Sequence, residues 1–127
     1  MKIIISLFLL FLSSTIFADI YYCAEEQSIG FIPLENFREV NYTEANYIIE
    51  IDFENLTIDS NELGMPEEYT ICKKFFYHEN VMQCSSPIGG RDFTLNSNTL
   101  IFTYTTTYIT DEMEDGLGLS WGKCQKF

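Results

Sequence analysis

The sequence predicts a small all-β domain: a disulfide-stapled antiparallel meander of about eight strands, an up-and-down barrel rather than a sandwich. Three observations predict it. Apolar residues recur at every second position, at Tyr47, Ile49, Ile51 and Phe53 and again at Leu100, Phe102, Tyr104 and Tyr108. That is the spacing of a half-buried strand, whose successive side chains point to opposite faces. Turn-forming residues separate such runs at short intervals, and no window shows a helical stripe. Four cysteines, an even count, stand in a chain that begins like an exported one.

Residues 1–18 read as a secretory signal that is removed. Lys2 gives a positive start, residues 3–12 are apolar, Ser13-Ser14-Thr15 is polar, and Ala18 is the expected last residue of the signal. The apolar stretch is ten residues long, where a spanning helix needs about twenty. It is therefore read as a signal and not as an anchor. Residues 19–127 then form one domain of 109 residues with a net charge of −13, against −12 for the whole chain. The expected destination is the periplasm or the extracellular space, with no membrane insertion after signal removal.

The first strand of this domain carries Tyr21-Tyr22-Cys23. In the next clear one, residues 47–53, Glu50 and Asp52 face away from the apolar set. Glu54-Asn55 reads as a tight turn into Leu56-Thr57-Ile58. Asn61 to Glu68 is a loop with Gly64 and Pro66, and residues 69–77 are β-rich although Lys73 and Lys74 interrupt the pattern. Pro87 with Gly89-Gly90 marks a longer loop. Phe93-Thr94-Leu95 turns at Asn96-Ser97-Asn98 into the strand from Leu100, whose Thr103, Thr105 and Thr107 point outward. After the acidic Asp111-Glu112-Met113-Glu114-Asp115-Gly116, Leu117, Leu119 and Trp121 alternate with Gly118, Ser120 and Gly122. Phe102, Tyr104 and Trp121 are expected inside.

The cysteines are Cys23, Cys72, Cys84 and Cys124. Four cysteines allow three pairings, and the sequence alone does not choose among them. Cys72 with Cys84 is favoured as a pair on adjacent strands, which leaves Cys23 with Cys124 to tie the first strand to the last. If the apolar side of each strand points inward, Cys23 and Cys124 lie on the outer face, because Cys23 is opposite Tyr22 and Cys124 is opposite Trp121 in parity. A Cys₄ zinc site would need short paired spacings that this chain lacks.

Composition narrows the function. Seven Lys plus Arg against nineteen Asp plus Glu argue against nucleic acid, whose phosphates need a basic surface. A single histidine leaves little for catalysis. His78, in Phe76-Tyr77-His78-Glu79-Asn80, reads as an exposed turn residue; a catalytic role would pair it with Ser85 or Ser86, and neither sits in a nucleophile elbow. The run from Asp111 to Gly116 invites a calcium reading, but Met113 takes a position where an oxygen ligand is needed, and a solvated hairpin tip explains the charges. Neither a catalytic residue, a cofactor site nor a metal site is therefore assigned. Aromatic residues are the enriched chemistry, with eight Tyr, eleven Phe and one Trp; they read as core, or as the lining of a pocket or contact face.

Tyr21-Tyr22-Cys23, Ile29-Gly30-Phe31, Ile51-Asp52-Phe53-Glu54-Asn55-Leu56-Thr57 and the closing Gly122-Lys123-Cys124-Gln125-Lys126-Phe127 resemble a group of small exported hypothetical proteins of marine bacteria. The resemblance implies an exported one-domain protein and carries no functional residue. The Tyr-x-Cys start is also similar to periplasmic lysozyme inhibitors of the small β-barrel type. Their inhibitory Ser-Gly-x-x-Tyr loop has no counterpart here, so that likeness is architectural.

The expected function is non-enzymatic binding, with a cationic protein as one candidate partner because the domain is acidic. Two alternatives stand beside it. One is a carrier of a small apolar ligand with lipocalin-like architecture. The other is a periplasmic inhibitor of a cationic enzyme such as lysozyme.

Overall fold

The computed structural model describes residues 18–59, 61–65, 70–87, 89–107 and 116–127. Residues 1–17 of the predicted signal segment, Tyr108 and the acidic run from Asp111 to Asp115 lie outside these residues. Nine strands are described: β1 Asp19–Ile32, β2 Arg38–Asn41, β3 Asn46–Asp52, β4 Thr57–Ile58, β5 Ile71–Phe75, β6 His78–Ser85, β7 Arg91–Asn96, β8 Ile101–Thr107 and β9 Leu117–Lys126. All pairs are antiparallel, and eight strands run in the order β4-β3-β1-β9-β8-β7-β6-β5. Every neighbour in that path is also a neighbour in sequence, except β1 with β9 and β1 with β3, which β2 separates in the chain. The sheet is an up-and-down meander whose first and last strands pair, almost closed into a barrel.

β2 and β3 share one edge of β1. Ile29 lies opposite Asn41, and Ala24 lies opposite Asn46, in the same register. Residues 42–45 between them break the strand without a slip, because Tyr42 N still donates to Ser28 O and Glu25 N to Ala45 O. The residual gap in the barrel lies between two-residue β4 and β5. There the chain after β4 keeps covering the edge of β3: Asp59 N donates to Glu50 O, and Ile48 N donates to the Glu62 carboxylate. The short 3₁₀ turn Asn61–Leu63 and Met65 then fill the gap, with Leu63 and Met65 both buried. Tyr104 Oη donates to Leu63 O, and the Arg91 guanidinium donates to Gly64 O.

The core occupies one end of the barrel. Phe93, Phe102, Ile49, Ile51, Ile58, Met82 and Leu95 are fully buried there. The Phe93 and Phe102 rings stack with centroids 5.6 Å apart. The alternation over residues 47–53 therefore points as its spacing predicts, with Tyr47, Ile49 and Ile51 inside and Glu50 outside.

Both favoured disulfides are present, Cys23–Cys124 and Cys72–Cys84, and each joins residues directly opposite across a strand pair. Their expected position on the outside is corrected: Cys23 and Cys124 are buried in the core. Tyr21 and Cys23 form the inward set of β1, while Ile20 and Tyr22 are exposed. Both faces of this strand are apolar, so alternation does not select one. The expected inward placement of Trp121 is also corrected, for a different reason. Trp121 lies half-buried on the outward side of β9, and Ser120, Gly122 and Cys124 are the inward, buried set. Small residues are needed there because β1 comes close: a Cβ on Gly122 would overlap the Ala24 carbonyl oxygen.

Among the described residues no helix is long and apolar enough to cross a membrane. Two disulfides fit an oxidising, exported environment.

Candidate functional site at the open end of the barrel

The inward side chains change along the barrel axis. On β9 they run Cys124, Gly122, Ser120, Gly118, and on β8 they run Phe102, Tyr104, Thr106. At the end where β1 finishes and β9 starts, the inward residues are too small to meet across the interior. A pocket of about 200 Å³ remains, lined chiefly by Glu25, Ser28, Tyr42, Tyr47, Tyr104 and Ser120.

A β-bulge places Glu25 in it. The β1–β9 register shifts between Glu25 and Gln27, so β1 carries one extra residue, Glu26. The bulge separates two consecutive acids. Glu26 reaches Lys123 on the exposed surface, 3.2 Å away, and Glu25 lines the pocket. Glu25 Oε1 accepts a hydrogen bond from Tyr47 Oη at 2.6 Å, and Oε2 accepts one from Ala45 N at 2.8 Å. Burial, then the bond to Glu25, raise the Tyr47 phenol well above its ordinary value. Tyr47 therefore stays a neutral donor throughout the working pH range.

The Tyr47 ring also packs against the core. It meets Phe102 edge-on and Tyr104 at a tilt, each with centroids 6.2 Å apart. The pocket thus rests on the packed half of the barrel as its floor. Among the described residues, Glu25 is the only formally charged one in its lining. The ion pairs among the described residues are Arg38–Glu35, Lys123–Glu26 and Lys126–Asp19, and none uses Glu25. Chemically, the pocket offers one carboxylate, hydroxyl groups and aromatic rings.

The sequence-predicted candidates lie elsewhere. His78 is exposed at the first position of β6 and Ser85 is at its last; seven residues of strand separate them by about 23 Å. Ser85 Oγ donates to Asp92 instead, at 2.5 Å, and Ser86 is buried. No group of three or more His, Cys, Asp or Glu able to hold a metal occurs among the described residues. The calcium candidate from Asp111 lies outside them. Of the eight tyrosines, Tyr42, Tyr47 and Tyr104 converge on the pocket, whereas Tyr22 and Tyr77 are exposed. Sequence reasoning did not find Glu25. The signal was the pair Glu25-Glu26 inside an apolar strand, which is a place for a bulge.

A second concavity lies on the outer surface of β1 and β3. Ile20 and Ile48, about half exposed, sit beside Glu50, Asp59 and Glu62. Comparison with family models, with curated proteins and with solved structures finds no match to this chain.

Proposed function

We propose that this chain is an exported, non-enzymatic binding protein that takes its ligand at the open end of the barrel. One observation carries the reading. The interior is filled by large apolar side chains at one end, and at the other it gives way to a pocket that the described residues line with hydroxyls, rings and a single carboxylate. Pockets in the mouths of β-barrels are common ligand sites. The polar lining favours a small polar ligand over the wholly apolar one that a lipocalin-like carrier would take. The test is a set of amide chemical-shift titrations on the disulfide-intact domain with choline, glucose, glycerol and decanoate. Saturable shifts at Ser28, Tyr104 and Ser120, lost in Ser120→Phe, are the expected result. Shifts confined to other regions, or none with any probe, would overturn it.

A second reading is favoured by the outer concavity. Its apolar centre and acidic neighbours suit a cationic protein surface, as an inhibitor of a basic enzyme would present. Mixing with lysozyme at low and high salt tests it. Salt-sensitive binding weakened by Ile48→Lys supports this reading; absent or salt-indifferent binding removes it.

A further inference from the structure

We propose that the barrel-end pocket is a site for a small organic monocation, an alkylammonium group held by the Glu25 carboxylate and by the rings of Tyr42, Tyr47 and Tyr104. The proposal rests on the reading of the open end as a ligand site and adds the chemical class of the ligand.

The charge argument comes first. Glu25 is the one charged residue that the described residues bring to the lining, and the donors that hold it, Tyr47 Oη and Ala45 N, are both neutral. A carboxylate has about four acceptor positions, so two neutral bonds leave each oxygen free to accept again. A partly buried charge without a counter-charge is costly, and a bound cation removes that cost. The domain as a whole is acidic, at −12 for the full chain. Its field concentrates cations and repels anions before any contact forms.

The rings add selectivity. Three tyrosines line the same small space as the carboxylate. Aromatic faces attract ammonium groups and tolerate their alkyl substituents, the combination by which aromatic cages hold quaternary ammonium. Tyr47 strengthens the arrangement, because its hydroxyl is committed to Glu25 and the ring is fixed against Phe102.

Size and the donor number among the described residues argue against the nearest alternatives. The pocket of about 200 Å³ falls below the roughly 300–1,000 Å³ of sites for drug-sized ligands, so the cation is small. Calcium takes six to eight oxygens, usually from several carboxylates, and the described residues bring a single carboxylate to this lining.

The experiment titrates the full disulfide-intact domain with choline and with its neutral isostere 3,3-dimethylbutan-1-ol, read by amide shifts. Choline is expected to shift Glu25, Ser28, Tyr104 and Ser120 saturably, and the alcohol to bind about tenfold more weakly or not at all. Glu25→Gln is expected to lower choline affinity by about tenfold while the rest of the spectrum holds. Ser120→Phe fills the space, leaves Glu25 in place, and is expected to abolish binding. If the alcohol binds as well as choline, the pocket stands as a ligand site and the cation assignment falls. Choline binding that survives Glu25→Gln also overturns the assignment, as does no choline binding at all. Glucose or glycerol binding at the open end with choline excluded would keep the pocket and make its ligand neutral.

Discussion

The two ends of the barrel are built from the same strands and differ in one respect, the size of the side chains that point inward. At one end Phe93, Phe102, Ile49, Leu95 and Met82 meet, and the Cys23–Cys124 disulfide joins the first strand to the last among them. At the other end Gly118, Ser120, Thr106 and Ser28 leave the space that Glu25 and the tyrosines share. Backbone pairing runs along β1 and β9 on both sides of the bulge, so the open end needs no core of its own. The packed end supplies stability and the open end is free to carry chemistry. Substitutions at the two ends should therefore separate, those at the first changing stability and those at the second changing binding.

The largest effect is expected from the buried disulfide. It closes a loop of 101 residues, against 12 for Cys72–Cys84. Chain entropy then gives about 4.7 kcal/mol for the long loop and about 3 kcal/mol for the short one. Paired alanine replacements of Cys23 with Cys124, and of Cys72 with Cys84, should differ in this sense in urea unfolding. Equal losses would mean that the β1–β9 seam is not what limits the domain.

A comparison along one strand comes next. Phe102 and Thr106 both point inward from β8, one into each end. Phe102→Ala should cost about 3–5 kcal/mol, because it leaves a cavity among rigid neighbours. Thr106→Ala borders space that is already open and should cost about 1 kcal/mol or less, mostly through lost strand preference. Similar losses at both positions would abolish the distinction between the two ends.

The hydroxyl of Tyr47 sits at the boundary. Tyr47→Phe removes the 2.6 Å bond to Glu25, a charge-assisted bond worth about 1.5 kcal/mol when partly buried. In a Glu25→Gln background the same substitution should cost less, and the difference between the two is the coupling. A double-mutant cycle with no coupling would show that Glu25 is held by Ala45 N alone.

These two ends were unequally legible in the sequence. The packed end announced itself where only one face of a strand is apolar, as at Tyr47, Ile49 and Ile51 opposite Glu50. It was misread where both faces are, as in Ile20-Tyr21-Tyr22-Cys23, so the inward placement of the disulfide was not foreseen. On β9 the bulky residues Leu119 and Trp121 pointed to the wrong face. Inward positions opposite a bulged β1 must be small, and no local pattern states that requirement. The pocket was less legible still. Its tyrosines are far apart in sequence, at Tyr42, Tyr47 and Tyr104, and only the order β3-β1-β9-β8 brings them together.

The smallest expected effect belongs to a turn that caps the packed end. The Asp52 carboxylate accepts from Asn55 N at 3.0 Å, from Asn55 Nδ2 at 2.6 Å and from Glu54 N at 2.9 Å, which orders the β3–β4 hairpin. These bonds, led by the backbone donor of Asn55 and then its side chain, lower the Asp52 pKa below its ordinary value of 3.8. Because the native value is depressed, the contribution is complete above the ordinary value and is lost as pH falls through the native one. Asp52→Asn should therefore exchange its Glu54 and Asn55 amides faster than the wild type near neutral pH, with the two proteins converging in acid. The carboxylate lies at the surface, where solvent screens it, so global unfolding should hardly register the change, and the open end should not register it at all. A difference in exchange that persists unchanged into acid would show that the turn depends on the shape of this side chain and not on its charge.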